Sequence, residues 1–393
     1  MKQSVLALLL VAAATSPLLA LEIGETEFEH NGWFRYTNQS TSFAVTDPSV
    51  SRFALERGYV RLSHQWTNQL FTKFTVDIFS SDKYAEGATV RLKEAYLDLA
   101  LPLKDFTLTA GLQKHYFGLV YSWDYTNPDK ALADDRGIVA SADYGITING
   151  FLPNGLGEVQ LGAYNGEGYK YAGKYVNLSP ELLANLRLTP FAGVQFGASA
   201  FTNAQDHVSY QNNKQGRNAA GTAFENGDTV NANRLGIAPM ARVAFGPVAL
   251  TGEYISYNYT REFSYYAINR DSSGVVVDST LNEKSKDYAM TGLDLNPVVT
   301  LLDRKLELHG RFATWQAKEQ SGDSMPVNLA RSFTRVGAGA NWHFQRRGKG
   351  KPGAELQLAW YRDQTRVEGA DPKDTFMAQF RFEWDALLRP PTL

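Results

Sequence analysis

From Glu25 onward apolar and polar residues take turns along the chain, and this alternation restricts the fold more than any other feature. In the last segment Phe376, Ala378, Phe380, Phe382 and Trp384 fall on one side, and Met377, Gln379, Arg381, Glu383 and Asp385 on the other. The same rule separates Val336, Ala338, Ala340, Trp342 and Phe344 from Arg335, Gly337, Gly339, Asn341 and His343. It also separates Leu235, Ile237, Pro239, Ala241, Val243 and Phe245 from Arg234, Gly236, Ala238, Met240, Arg242 and Ala244. A period of two is that of a strand with one apolar and one polar face. A soluble sandwich alternates too, but the segments here run about 10 to 15 residues, longer than the usual 5 or 6 of globular sheets and suited to a tilted bilayer crossing. In hydrocarbon no backbone N–H or C=O can be left to water, so such strands must close into a barrel. The predicted fold is all-β, an antiparallel up-and-down transmembrane barrel.

The connections alternate in length. Short turns are predicted at 67–69, 102–105, 153–157, 190–193, 246–247, 302–304 and 346–353. Between them lie longer links at 39–51, 82–87, 117–137, 168–174, 205–231, 263–285, 319–329 and 367–374. Seven turns and eight links join sixteen strands, an even number that leaves both termini on the periplasmic side; a misjudged hairpin would make it 14 or 18. Trp66, Phe106, Phe245, Phe344 and Trp384 all stand on the apolar face beside short turns or the C-terminus, where an aromatic girdle meets the lipid headgroups.

Upstream of the barrel, Lys2, the apolar run 5–14 and small residues up to Ala20 form the pattern of a secretory signal peptide. The expected organisation is a signal peptide over 1–20, cleaved near Ala20, and a barrel over 21–393, with strands to about 385 and a short tail over 386–393. That places the mature chain in the cell outer membrane after export. The absence of cysteine excludes disulfides, thiol catalysis and Cys-ligated metals. Thirty-nine basic against 41 acidic residues leave no basic footprint for nucleic acid. The six histidines show no metal-ligand spacing, and no cofactor is expected. One Gly-x-Gly-x-x-Gly pattern, at 348–353, is a flexible basic turn, because a strand rather than a helix follows it.

A barrel of sixteen strands encloses an aqueous channel. Strand parity places Arg57, Arg61, Lys73, Arg187, Arg234, Arg242, Arg311, Arg335 and Arg381 inside it. The matching acids are Asp77, Glu94, Asp98, Asp143, Glu158, Glu253, Asp294, Glu307, Glu355, Asp363 and Glu383, and Tyr96 shares the wall with Glu94 and Asp98. The third long link, 117–137, joins Tyr121, Trp123 and Tyr125 to dense charge: Asp124, Asp129, Lys130, Asp134, Asp135 and Arg136. Folded inward it would form the constriction, where incompletely screened charges govern permeation. The alternative is an external lid.

Three stretches carry a family resemblance. They are Arg91-Leu92-Lys93-Glu94-Ala95-Tyr96-Leu97-Asp98-Leu99, then residues 108–118 (LTAGLQKHYFG) and Tyr121-Ser122-Trp123-Asp124-Tyr125. With Ser141-Ala142-Asp143-Tyr144-Gly145 and Gly162-Ala163-Tyr164-Asn165-Gly166-Glu167-Gly168, they resemble the phosphate-selective porin O/P family, over roughly residues 52–171. The resemblance implies a sixteen-stranded outer-membrane barrel, a homotrimer and an inward third loop. Selective members carry arginine ladders and lysine clusters, whereas here Asp124, Asp129, Asp134 and Asp135 oppose only Lys130 and Arg136. A second departure is that the chain runs on past Trp384 instead of ending on an aromatic residue.

The expected function is therefore passive diffusion of ions and small hydrophilic solutes, weakly selective or mildly cation-preferring, with outer-membrane lipid and lipopolysaccharide as surroundings. An anion- or phosphate-selective porin is the alternative. A non-conducting structural or adhesive barrel would use the tyrosine-rich sixth link, Phe263, Tyr265 and Tyr266, as its binding surface. An outer-membrane hydrolase would need a nucleophile beside a positioned histidine, and a sixteen-stranded lumen does not favour it.

Overall fold

The computed structural model describes residues 24–40, 49–81, 87–120, 127–170, 180–205, 230–270, 273, 276–317, 332–346, 353–365 and 371–388. Nearly all of them lie in strands. The first eight are β1 (Thr26–Gln39), β2 (Val50–Gln65), β3 (Leu70–Ser80), β4 (Ala88–Ala100), β5 (Phe106–Lys114), β6 (Ala142–Leu152), β7 (Gly157–Tyr164) and β8 (Glu181–Phe191). The second eight are β9 (Val194–Gln205), β10 (Val230–Phe245), β11 (Val248–Arg270), β12 (Val276–Leu301), β13 (Leu306–Ala317), β14 (Phe333–Gln345), β15 (Gly353–Thr365) and β16 (Lys373–Leu388). Each strand is antiparallel to its neighbours in sequence, and β1 also pairs with β16, so the sheet closes on itself and leaves no edge.

The alternation sorts the side chains as the sequence predicts. On β10, Ile237, Val243 and Phe245 are exposed on the outer surface, while Ala238 and Met240 are buried inside. On β16, Phe376, Phe380 and Trp384 face out and Gln379 faces in, 2 % exposed. Of the girdle residues, Phe245, Phe344 and Trp384 are exposed. Trp66 is half-buried, donating from Nε1 to Thr72 Oγ1 at 2.9 Å, and Phe106 lies across the neighbouring Gly150. Short turns connect the strands at one end; at 246–247 the chain reverses through Gly246 with φ 56°, a left-handed value that a Cβ would disfavour.

With the outward residues set against hydrocarbon, as the alternation predicts, an Ile237→Arg substitution near the middle of β10 is expected to destabilise the folded barrel by about 2 to 4 kcal/mol. Urea titration in lipid vesicles, read by heat-dependent gel mobility, measures it. A shift under about 0.5 kcal/mol, the usual size for a soluble surface change, would contradict the lipid-facing assignment.

Three local features differ from the sequence reading. The predicted link 263–285 is a strand ladder: β11 and β12 pair from Val248 opposite Val299 up to Asn269 opposite Asp278. Phe263, Tyr265 and Tyr266 thus belong to β11, not to a loop. Strands of 23 and 26 residues are longer than the roughly 9 to 11 a tilted bilayer crossing needs, and beyond that length neither face must be apolar, so the alternation fades although the backbone pairing continues. The last strand extends to Leu388, opposite Thr26, rather than to about 385. Third, two bulges break parity. Glu56 is the extra residue between Arg57 opposite Trp33 and Leu55 opposite Phe34. Lys93 is the extra residue between Glu94 opposite Thr75 and Leu92 opposite Val76. A bulge places two consecutive side chains on one face, so Glu56 with Arg57, and Lys93 with Glu94, all line the lumen.

Candidate functional site

Beyond β5 the chain turns into the barrel instead of away from it. The connection, residues 115–141, carries a short helix, α1 (Leu132–Arg136), closed by Gly137 in the left-handed conformation (φ 72°). Leu132, Ala133 and Ile138 are 0 % exposed. They pack with Phe117, Val120 and Val139 against inward apolar residues of the wall, among them Phe201, Ile255, Tyr257, Met290, Trp315 and Phe333. Gly292 makes room for the contact, since a Cβ there would lie 2.8 Å from Leu132 Cδ2 and 2.9 Å from the Trp315 ring. An inward wall of this composition would be unstable against water, and its burial under the loop supplies the driving force for the inward fold. The loop therefore fills the side of the barrel facing β8 to β14. The external-lid alternative does not hold.

Polar contacts fix the loop's height. Arg187 donates to the carbonyl of Gly118 (2.6 Å), Glu253 Oε2 accepts from Leu119 N–H (2.8 Å) and Ser199 Oγ accepts from Gly118 N–H (3.1 Å). At the far end Arg35 donates to the carbonyl of Pro128 (2.7 Å), and Asn127 meets Tyr361. Asp129 is held by two arginines, Arg311 at 2.6 Å and Arg335. Arg311 forks onto Asp294 (2.7 and 3.1 Å) and Arg335 onto Asp363 (2.6 and 2.8 Å). Arg234 reaches the carbonyl of Ile138 (3.3 Å) and Glu181 (3.0 Å), and Glu181 also meets His115 at the root of the loop.

Burial opposes the charge on Asp129, but Arg335 and Arg311 outweigh it and hold the carboxyl at about 2. A carboxylate depressed from 3.8 to about 2 contributes stability in full above pH about 4 and loses it as pH falls through about 2. The contribution of Asp129 to the seating of the loop is accordingly expected to hold down to pH about 4 and to be lost below that, read as heat-dependent gel mobility against pH. The Asp129→Asn variant should lack this step; an unchanged low-pH step in that variant would assign it elsewhere.

On the opposite side the lumen stays open as a cavity of about 470 Å³ between the loop's outer edge and the wall of β1 to β5 and β16. The wall presents Arg35, Arg57, Arg61, Lys73, Lys93, Lys114 and Arg381 against Glu29, Glu56, Glu94 and Glu383, a net +3. The loop edge presents Asp129, Asp134 and Asp135 against Lys130, a net −2. The cavity thus lies between a basic wall and an acidic lip.

The predicted residues divide accordingly. Lys130, Asp134 and Asp135 line the opening, and Asp135 is bound by Arg136 (2.7 Å) and approached by Arg335 (3.6 Å). Arg136 faces Phe333 with 4.5 Å from guanidinium to ring centre. Asp124 lies outside the described residues. Arg57 sits 3.7 Å from Asp77, Arg61 3.1 Å from Glu29, and Arg381 3.0 Å from Glu355. Glu94 accepts from Thr75 at 2.8 Å, Asp98 accepts from Thr109 at 2.5 Å, and Tyr96 is half-buried beside them. Arg242 stands exposed near the short turns. Arg234, Arg311 and Arg335 anchor the loop and do not line the opening, because buried carboxylates and carbonyls claim their forks. Sequence parity missed Lys93 and Glu56, hidden by the bulges, and Arg35, Lys114 and Glu29. The signal for the loop's seat was present in Tyr254-Ile255-Ser256-Tyr257, where both faces carry large apolar groups.

No family model and no curated protein matches the chain. Solved structures do. An OmpT outer-membrane protein of Vibrio cholerae, in its trimer form, shares 13% identity over 92% of this chain and 100% of its own, with a TM-score of 0.57. An anion-selective porin from Comamonas acidovorans shares 11% over 92% and 100%, also at 0.57. The outer-membrane channel DcaP of Acinetobacter baumannii shares 11% over 92% and 97%, at 0.56. The likeness is one of fold. It matches the closed sixteen-strand barrel to outer-membrane proteins along almost the whole chain.

Proposed function

We propose that the chain is an outer-membrane porin that passes ions and small hydrophilic solutes by diffusion. The open, charge-lined cavity beside an inward loop carries this reading: half of the lumen is filled and the other half is built of polar groups. No covalent step is required of these residues. The motifs at 91–99 and 108–118 support membership of the O/P-like porins, and the trimeric OmpT neighbour supports a homotrimer set in lipid and lipopolysaccharide after removal of a signal peptide.

Selectivity follows from the charges that line the opening rather than from those in the loop's sequence. Asp129 is neutralised by two wall arginines, which removes the main ground for cation preference. Eight cations against seven carboxylates around the cavity support weak selectivity, leaning to anions, and the facing signs set up a field across the passage. Reconstitution in planar bilayers tests the reading: stepwise conductance with small reversal potentials in a KCl gradient is expected. A sealed barrel would overturn it and favour a structural or adhesive role.

A further inference from the structure

The basic wall is not a plain row of charges: Trp33 and Tyr59 line the cavity among its cations, and Phe79 and Tyr169 stand behind Arg57 and Lys93, two of the lining cations. The Arg61 guanidinium lies 4.9 Å from the centre of the Tyr59 ring, and Tyr59 meets Trp33 edge-on at 5.7 Å. Arg57 and Arg91 lie 5.5 and 4.9 Å from the centre of Phe79. Lys93 and Lys170 lie 4.1 and 5.6 Å from the centre of Tyr169. Lys93 is further fixed by Ser141 at the return of the third loop. These are three stations, each pairing a ring with one or two cations.

Each station has a counter-charge, but along the whole wall the cations outnumber the acids by three. Glu29 serves Arg61 and Asp77 serves Arg57. Lys170 is pulled below the usual lysine range first by burial and then by the nearby charge of Lys130, with Arg57 and Arg91 adding to the effect and Asp134 opposing it. The wall therefore keeps an excess of positive charge. Inorganic anions would use only that charge; the rings matter to a solute that has a flat π face of its own. Guanidinium planes stack on aromatic faces and also fork onto carboxylates, so one station can hold both parts of such a solute.

Resting on the porin reading, we propose that this wall is a track for planar aromatic carboxylates, which stack on the arginine and ring faces while their carboxylate pairs with the lysines. The track favours them over saturated carboxylates of equal charge and similar size.

The test compares benzoate with cyclohexanecarboxylate as blockers of single-channel KCl current in planar bilayers. Benzoate is expected to halve the open-channel current at about fivefold lower concentration. The preference should vanish in Tyr169→Leu, which lies outside the strand ladder, and in Phe79→Leu, both checked for folding by heat-dependent gel mobility. Equal potency of the two acids in the unsubstituted channel, or a preference that survives both substitutions, overturns the track and leaves the porin reading standing. Absence of conductance steps overturns both.

Discussion

Arg311→Ala should unseat the third loop and give the largest loss of stability among single substitutions in the lumen. Arg311 is fully buried and joins Asp294 to Asp129 by three contacts of 2.6 to 3.1 Å. Its removal strips buried Asp294 on β12 of the cation forked onto it and leaves Asp129 on the loop with Arg335 alone. Breaking a buried pair in this way costs about 3 to 5 kcal/mol. The expected readouts are a lower thermal midpoint of the folded band on gels and a larger, noisier single-channel conductance. Arg311→Lys keeps the charge but not the fork and should fall between. A conductance unchanged from the parent would show that the apolar seat of Leu132 and Ile138 suffices to hold the loop.

Charge reversal of the wall should have the largest effect on permeation. Arg57→Glu, Lys93→Glu and Lys114→Glu together carry the wall from net +3 to net −3 while leaving the loop edge at −2. With both sides of the passage acidic, the permeability ratio of potassium to chloride is expected to rise by on the order of tenfold. Neutralising Asp134 and Asp135 should shift it modestly the other way. Reversal potentials in a salt gradient measure both. A triple variant that conducts with an unshifted potential would place the selectivity filter elsewhere in the barrel.

The two halves of the molecule were unequally legible. The outer surface could be read residue by residue, because lipid imposes one rule on every strand and Ile237, Val336 and Phe380 all obey it. The inner surface follows no single rule. Arg234, Arg311 and Arg335 share parity with Arg57 and Arg61, yet the first three are anchors and the other two face the passage. Which role each takes depends on whether the loop lies over it. The acids of the third loop show the same limit: Asp129 and Asp134 are five positions apart and both line the opening, but only Asp129 is bound by the two arginines Arg311 and Arg335.

The sequence by itself determined the strand number and which face of each strand points outward. These depend on the two-residue period of an extended chain and on the cost of bare backbone in hydrocarbon, both of them local. Only the tertiary structure decided where the third loop rests, which cations remain accessible and where a bulge reverses parity, as at Lys93. Those outcomes depend on contacts between segments more than two hundred positions apart, such as Asp129 with Arg335, for which the order of residues along one strand carries no signal.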